Sequence, residues 1–241
     1  MSKNFKNDIA NVPSKLRIAI IGVTGAPGNS SAIRRSHMFA KGLVDHGHEV
    51  HLFIPYAWHL EDQNKDIGKI RVKCFYKSHT NTLSTFQRIR NLILGHITMI
   101  TTIFFYCLKG HYDWILYYAG WNMESLIIGL ITKLFRCQFC IQHCDLIPDS
   151  KNNGLLNRLF SIGHKLSWEW SSRLSSVIVV ISGSLEKEMR RLAPRAKVVR
   201  IPILTDVKLF GSGEGAKFRS RLGLSNNIKM IAYAGSFVPA F

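Results

Sequence analysis

Two patterns alternate along the chain. Short runs of consecutive apolar residues are separated by longer stretches in which apolar residues recur every three or four positions. The first pattern marks buried strands and the second helices with one apolar face. The run LRIAIIG (16–22) is a strand that ends at glycine. Asn29 or Ser30 then caps a helix whose Ile33, His37, Ala40 and Leu43 or Val44 share a stripe, with Gly47 as its C-terminal stop. HEVHLFIP (48–55) follows as a second strand, stopped by Pro55. This is a βαβ unit, which implies parallel strands and a right-handed crossover.

The same alternation continues. Residues 56–68 read as a loop. IRVKCFY (70–76) is a half-exposed strand with Arg71 and Lys73 on its polar face. A long apolar helix runs over 84–109, a strand over 112–118, a helix over 123–135 and a strand over 137–144. After a loop at 145–154 comes a helix over 155–175, with Leu155, Leu159, Ile162, Leu166 and Trp170 on its apolar stripe. SSVIVVIS (175–182) is a strand, GSLEKEMRRL (183–192) a helix and KVVRIPI (197–203) a strand. Strands alternating with helices predict an α/β doubly wound parallel sheet, Rossmann-like. Four segments follow: a polar tail (1–15), a Rossmann-like domain (16–204), a polar, glycine-containing linker (205–227) and the opening strand of a further domain (228–241).

Composition and charge narrow this picture. Hydrophobic residues make up 46% of the 241, which excludes general disorder. The net charge of +17 predicts an acidic partner: nucleic acid, an anionic membrane or a phosphorylated substrate. The basic residues are dispersed and form no RNA-type motif, so nucleic acid is not expected. The stretch LILGHITMITTIFFYCL (92–108) is apolar beyond one face but short of a span, and reads either as a buried helix or as one partly inserted in a membrane. The five cysteines cannot all pair, and the polar N-terminus has no signal-peptide core. A cytoplasmic location with free thiols follows, with peripheral contact at an anionic membrane as the docking option.

Four passages in order resemble the N-terminal half of a GT-B glycosyltransferase of the retaining family-4 group. They are GLVDHGHEVHLF, SSVIVVISGSLEKEM, the crossover KVVRIPILTDVKLF and the opening strand IAYAGSF. The crossover departs from the family's usual I-P-N-G-V-D at Ile203, Leu204 and Thr205. The resemblance implies transfer of a sugar from a nucleotide-sugar co-substrate to a glycan or lipid-linked acceptor, as in cell-envelope polysaccharide or glycolipid synthesis. It implies no metal and no other cofactor. Because the family holds its donor mainly in the second domain, it also implies that this chain alone is inactive.

Candidate site residues lie where strands end. Gly25, Gly28 and Asn29 follow the first strand, where a glycine-rich turn and a helix N-terminus can hold a donor diphosphate or an acceptor phosphate. A bare turn is the alternative. Trp121 and Asn122 suit an acceptor sugar by stacking and hydrogen bonding, or else packing and capping. His143 and Asp145 are candidates to orient an acceptor hydroxyl or take its proton, against a buried histidine and a turn. Ser182 is an acceptor-side candidate or a helix cap. Cys137, Cys140, Cys144 and His143 invite a zinc reading, but a C-x-x-C pair on a strand points its sulfurs to opposite faces, so buried thiols are favoured.

Two other functions fit parts of the sequence. An NAD(P)-binding reductase fits G-x-x-G-x-x-G, but the second strand ends in LFIPYAW without an acidic residue for the ribose, and no Tyr-x-x-x-Lys pair is present. A non-catalytic glycan- or membrane-binding module is the remaining option.

Overall fold

The computed structural model describes residues 15–22, 31–57, 68–77, 84–118, 123–144, 155–202, 215–225 and 228. The chain divides into two units, residues 1–205 and 206–241. The first contains β1 (Arg17–Ile21), α1 (Ser31–Asp45), β2 (Glu49–Ala57), β3 (Ile70–Lys77), α2 (Thr85–Leu108), β4 (Trp114–Tyr118), α3 (Met123–Leu134), β5 (Gln138–His143), α4 (Leu155–Leu174), β6 (Val177–Val180), α5 (Gly183–Leu192) and β7 (Lys197–Arg200). The second contains a short helix, α6 (Gly215–Arg221), inside the stretch read as a linker. There Arg219 donates to the carbonyls of Ser225 and Ile228, at 3.2 and 2.8 Å, and folds the following turn back onto the helix.

The seven strands form one parallel sheet in the order β3-β2-β1-β4-β5-β6-β7. This is the doubly wound Rossmann-like α/β fold that the alternation predicts. The order reverses at β1, which pairs with β2 on one side and β4 on the other. Right-handed crossovers on either side of such a reversal send their helices to opposite faces. Accordingly α1 supplies Ala40, Phe39, Leu43 and Val44 to one apolar layer, while α2, α3, α4 and α5 all pack on the other.

Local chemistry sets the helix limits. Ser84 and Gln87 form a capping box at the start of α2. Gly47, at φ +88°, turns the chain out of α1, and the N–H of His48 closes on the carbonyl of Leu43.

Two expectations are corrected. Pro55 does not stop β2, which runs on to Ala57. The β1 ladder with β2 ends at Ile20 opposite Leu52, so by Pro55 one flank of β2 is an edge, where a missing N–H is tolerated. The second correction concerns α4. Its described apolar stripe residues Ile162, Leu166 and Trp170 are about half exposed, and the buried side carries Ser167, Trp168, Ser171 and Ser172. The serines close that side by bonding back to the helix: Ser172 Oγ donates to the carbonyl of Trp168 at 2.6 Å and Ser167 Oγ to that of Gly163 at 2.8 Å. Small side chains let α4 lie close to α3, where Gly129 has room for no more than Leu174 and Phe139 leave it.

Candidate functional site

The strand order reverses at β1, between β2 and β4, and the carboxyl ends of the strands at such a switch point are where ligands bind in open α/β sheets. Gly22 follows β1 at this point. Its φ is +88°, and a Cβ there would run into the carbonyl oxygen of Tyr118 and lie 3.2 Å from the ring of Tyr117. Only glycine leaves β1 in this way while β4 stays hydrogen-bonded alongside. Of the three glycines in the sequence motif, Gly22 is the described one. Gly25, Gly28 and Asn29 lie outside the described residues, as do Trp121, Asn122 and Asp145.

His143 ends β5 and is 2% exposed. Its Nε2 lies 2.9 Å from Ser172 Oγ, and its ring meets Trp168 edge-on at 5.3 Å. Because the Ser172 hydroxyl donates to Trp168, its oxygen accepts from His143, which places the imidazole proton on Nε2. Burial pushes this histidine's pKa down to about 3. It is a packed, neutral imidazole that ties β5 to α4. Ser182 caps α5, accepting from the N–H of Leu185 at 3.3 Å.

Two arrangements of side chains are not legible in the sequence. Glu124, in the first turn of α3, is buried and paired with His96 of α2, while the Tyr117 hydroxyl donates to its other oxygen at 3.2 Å. The carboxylate therefore fixes the start of α3, directly after residues 119–122, to both α2 and β4. The signal in the sequence was one His and one Glu, each alone in an apolar helix and 28 residues apart. Arg35 of α1 is the second case. It is 6% exposed, stacks over Phe39 at 5.3 Å and donates to the carbonyls of Ile201 and Pro202 at 2.8 and 2.9 Å. It thereby anchors the start of the I-P-x-x-x-D passage to the helix that follows the glycine-rich turn.

The cysteines are spread over strands and helix ends. Cys140 is buried in β5, and desolvation raises its thiol to about 12. Cys144 lies 3.4 Å from the Tyr118 hydroxyl. Among the described residues, no three His, Cys, Asp or Glu side chains converge as metal ligands. A cavity of about 680 Å³ lies between α1 and the start of β3, lined by His37, Lys41 and Lys69 among others. It is at the amino end of β3, away from the carboxyl ends of the strands, and includes none of the sequence candidates.

Sucrose-phosphate synthase from Thermosynechococcus elongatus superposes with a TM-score of 0.55 at 14% identity, over 88% of this chain and 53% of that one. HepE of Anabaena, solved in complex with UDP-glucose, gives 0.52 at 13%, over 88% and 51%. UGT2 of Phytolacca americana gives 0.55 at 11%, over 86% and 54%. The likeness is one of fold. The chain spans about half the length of these structures. No protein-family model and no curated protein sequence matches it.

Proposed function

We propose that the chain is the acceptor-side portion of a retaining, GT-B-type glycosyltransferase, which transfers a sugar from a nucleotide-sugar to an acceptor hydroxyl on a cell-envelope polysaccharide or glycolipid in the cytoplasm. The observation that carries the reading is the switch point of the sheet at β1, where Gly22 leaves the strand in a conformation that only glycine adopts there. Two structures sharing this fold were solved with UDP-glucose and with UDP-2fluoro-glucose, and these titles support a nucleotide-sugar as the ligand class.

In this reading Gly25, Gly28 and Asn29 lie under the donor diphosphate, where free backbone N–H groups favour an anion. Trp121 and Asn122 face the acceptor sugar, with Ser182 further along the strand ends. His143, neutral and bonded to Ser172, positions the loop containing Asp145 and takes no proton itself. Rate acceleration comes from orientation and from stabilising the departing diphosphate. The reading needs neither a metal nor an organic cofactor.

The test is saturation-transfer NMR of the 241-residue chain with UDP-, GDP- and ADP-sugars and with simple glycosides, beside an assay of nucleoside diphosphate release. Binding is expected, weakened at least tenfold in Gly22→Val, with no turnover by this chain alone. Binding of NADPH with hydride transfer, and no binding of nucleotide-sugar or glycoside, would overturn the reading in favour of a reductase.

A further inference from the structure

Helices α2, α3 and α4 lie side by side on one face of the sheet, with α3 packed against both neighbours. Their outward sides are apolar. Ile89, Ile93, Ile97 and Phe105 of α2 are 51 to 54% exposed. Ile127 and Leu130 continue the surface on α3, and Leu166 and Trp170 on α4. Large apolar side chains exposed together on neighbouring helices mark interaction surfaces, whereas ones scattered singly need no explanation. Three threonines of α2 turn their hydroxyls back to their own helix. Thr98, Thr101 and Thr102 donate their hydroxyls to the carbonyls four residues earlier, at 2.8 to 2.9 Å. A side chain satisfied by its own helix can enter an apolar phase without losing a hydrogen bond.

Charge decides what the surface meets. No acidic residue occurs between Thr85 and Lys109. On α3 and α4 the carboxylates are Glu124, buried against His96, and Glu169, half-buried. Lys109, Lys133, Arg136, Lys165 and Arg173 are exposed around the apolar surface. A second copy would set these cations against one another. An anionic bilayer accepts both the apolar surface and its basic border. Residues 89–108 are long and apolar enough to cross a membrane. The inner side of α2 is nonetheless committed to the sheet, since Met99 and Ile103 are fully buried in the core they share with β2 and β4. The helix can lie on a bilayer and keep that packing; it cannot span one and keep it.

We infer that the outer face of α2, α3 and α4 is a docking surface for an anionic lipid bilayer, seated in the plane of the headgroups with α2 deepest. The inference goes beyond the transfer reaction and does not depend on it, because lipid binding is measured without turnover.

The experiment is flotation of the 241-residue chain with phosphatidylglycerol-containing vesicles and with pure phosphatidylcholine vesicles, across a salt series. Flotation is expected with the anionic vesicles, falling as salt rises. It should drop at least tenfold in Ile97→Asp/Phe105→Asp and several-fold in Lys133→Glu/Arg173→Glu. Brominated lipid should quench Trp170, a signal missing in Trp170→Phe. Melting curves report whether each variant is folded, and Ile127→Asp/Leu130→Asp replaces the first pair if that pair unfolds. Absence of flotation at low salt overturns the inference, as does flotation unchanged in both aspartate variants. A wild-type dimer in sedimentation that the aspartate pair dissolves, without vesicle binding, assigns the face to a second copy and equally overturns it. None of these outcomes bears on nucleotide-sugar binding.

Discussion

Helices α4 and α5 sit on the same face of the same sheet, yet they meet solvent in opposite ways. Helix α5 buries Leu185, Met189 and Leu192 and turns outward the ion pairs of Arg190 with Glu186 and of Arg191 with Glu188. Helix α4 buries serines and turns outward Ile162, Leu166 and Trp170. Both are amphipathic. The difference teaches that an apolar stripe identifies a face without naming its medium. Helix α5 follows the rule for a helix between core and water. Helix α4 departs from it: three serines flank Trp168 on its buried side, and Ile162, Leu166 and Trp170 face outward.

The largest test of this contrast is on the α5 side. Met189 is fully buried, so Met189→Ala is expected to cost about 3 kcal/mol in chemical denaturation. If α4 is correctly placed, enlarging its serine side is also costly. Ser171 is fully buried, and Ser171→Leu is expected to cost about 2 kcal/mol by overpacking, again read from the denaturation midpoint.

A pH dependence follows from the histidine that bonds to the serine side of α4. His143 is held well below its ordinary pKa when folded, so the unfolded chain binds a proton that the native state refuses. Stability is then fully present above about pH 6.5 and is lost as pH falls toward 3. The loss from this group is about 2 kcal/mol at pH 5. Denaturation of His143→Phe at pH 7 and pH 5 should show that part of the slope removed; an unchanged slope would mean the ring is hydrated and α4 sits differently.

The smallest effects are on the outward sides. Leu166→Ser on α4 should change stability by no more than about 0.5 kcal/mol while raising solubility. Arg190→Ala on α5, which breaks an exposed pair, should likewise stay within about 0.5 kcal/mol. A loss of several kcal/mol in Leu166→Ser would collapse the comparison, since that side of α4 would then be core.

Much of the fold was legible because its signals are local. The runs RIAII, VIVV and KVVR carry their strand character in consecutive apolar residues, and Ser84, Gly47 and Ser182 mark helix ends through hydrogen bonds that span a few positions. The site was legible only in outline. Gly22 could be picked out because a glycine at a strand end before a helix is a recognisable pattern. Arg35 and Glu124 could not, because their partners lie 166 and 28 residues away. His143 was visible as a histidine at a strand end, but its burial depends on Trp168 and Ser172, brought to it by the crossover through α4.

By itself the sequence determined the alternation of strands and helices, the parallel sheet that alternation requires, and the glycine on which β1 turns, since each follows from covalent geometry and nearest-neighbour patterning. The tertiary structure alone decided that β1 and β4 are neighbours at the switch point of the sheet, and that α4 buries its serines while α2, α3 and α4 each turn apolar residues outward. A period of 3.6 residues fixes which side chains share a face, and only packing against other elements fixes which way that face looks.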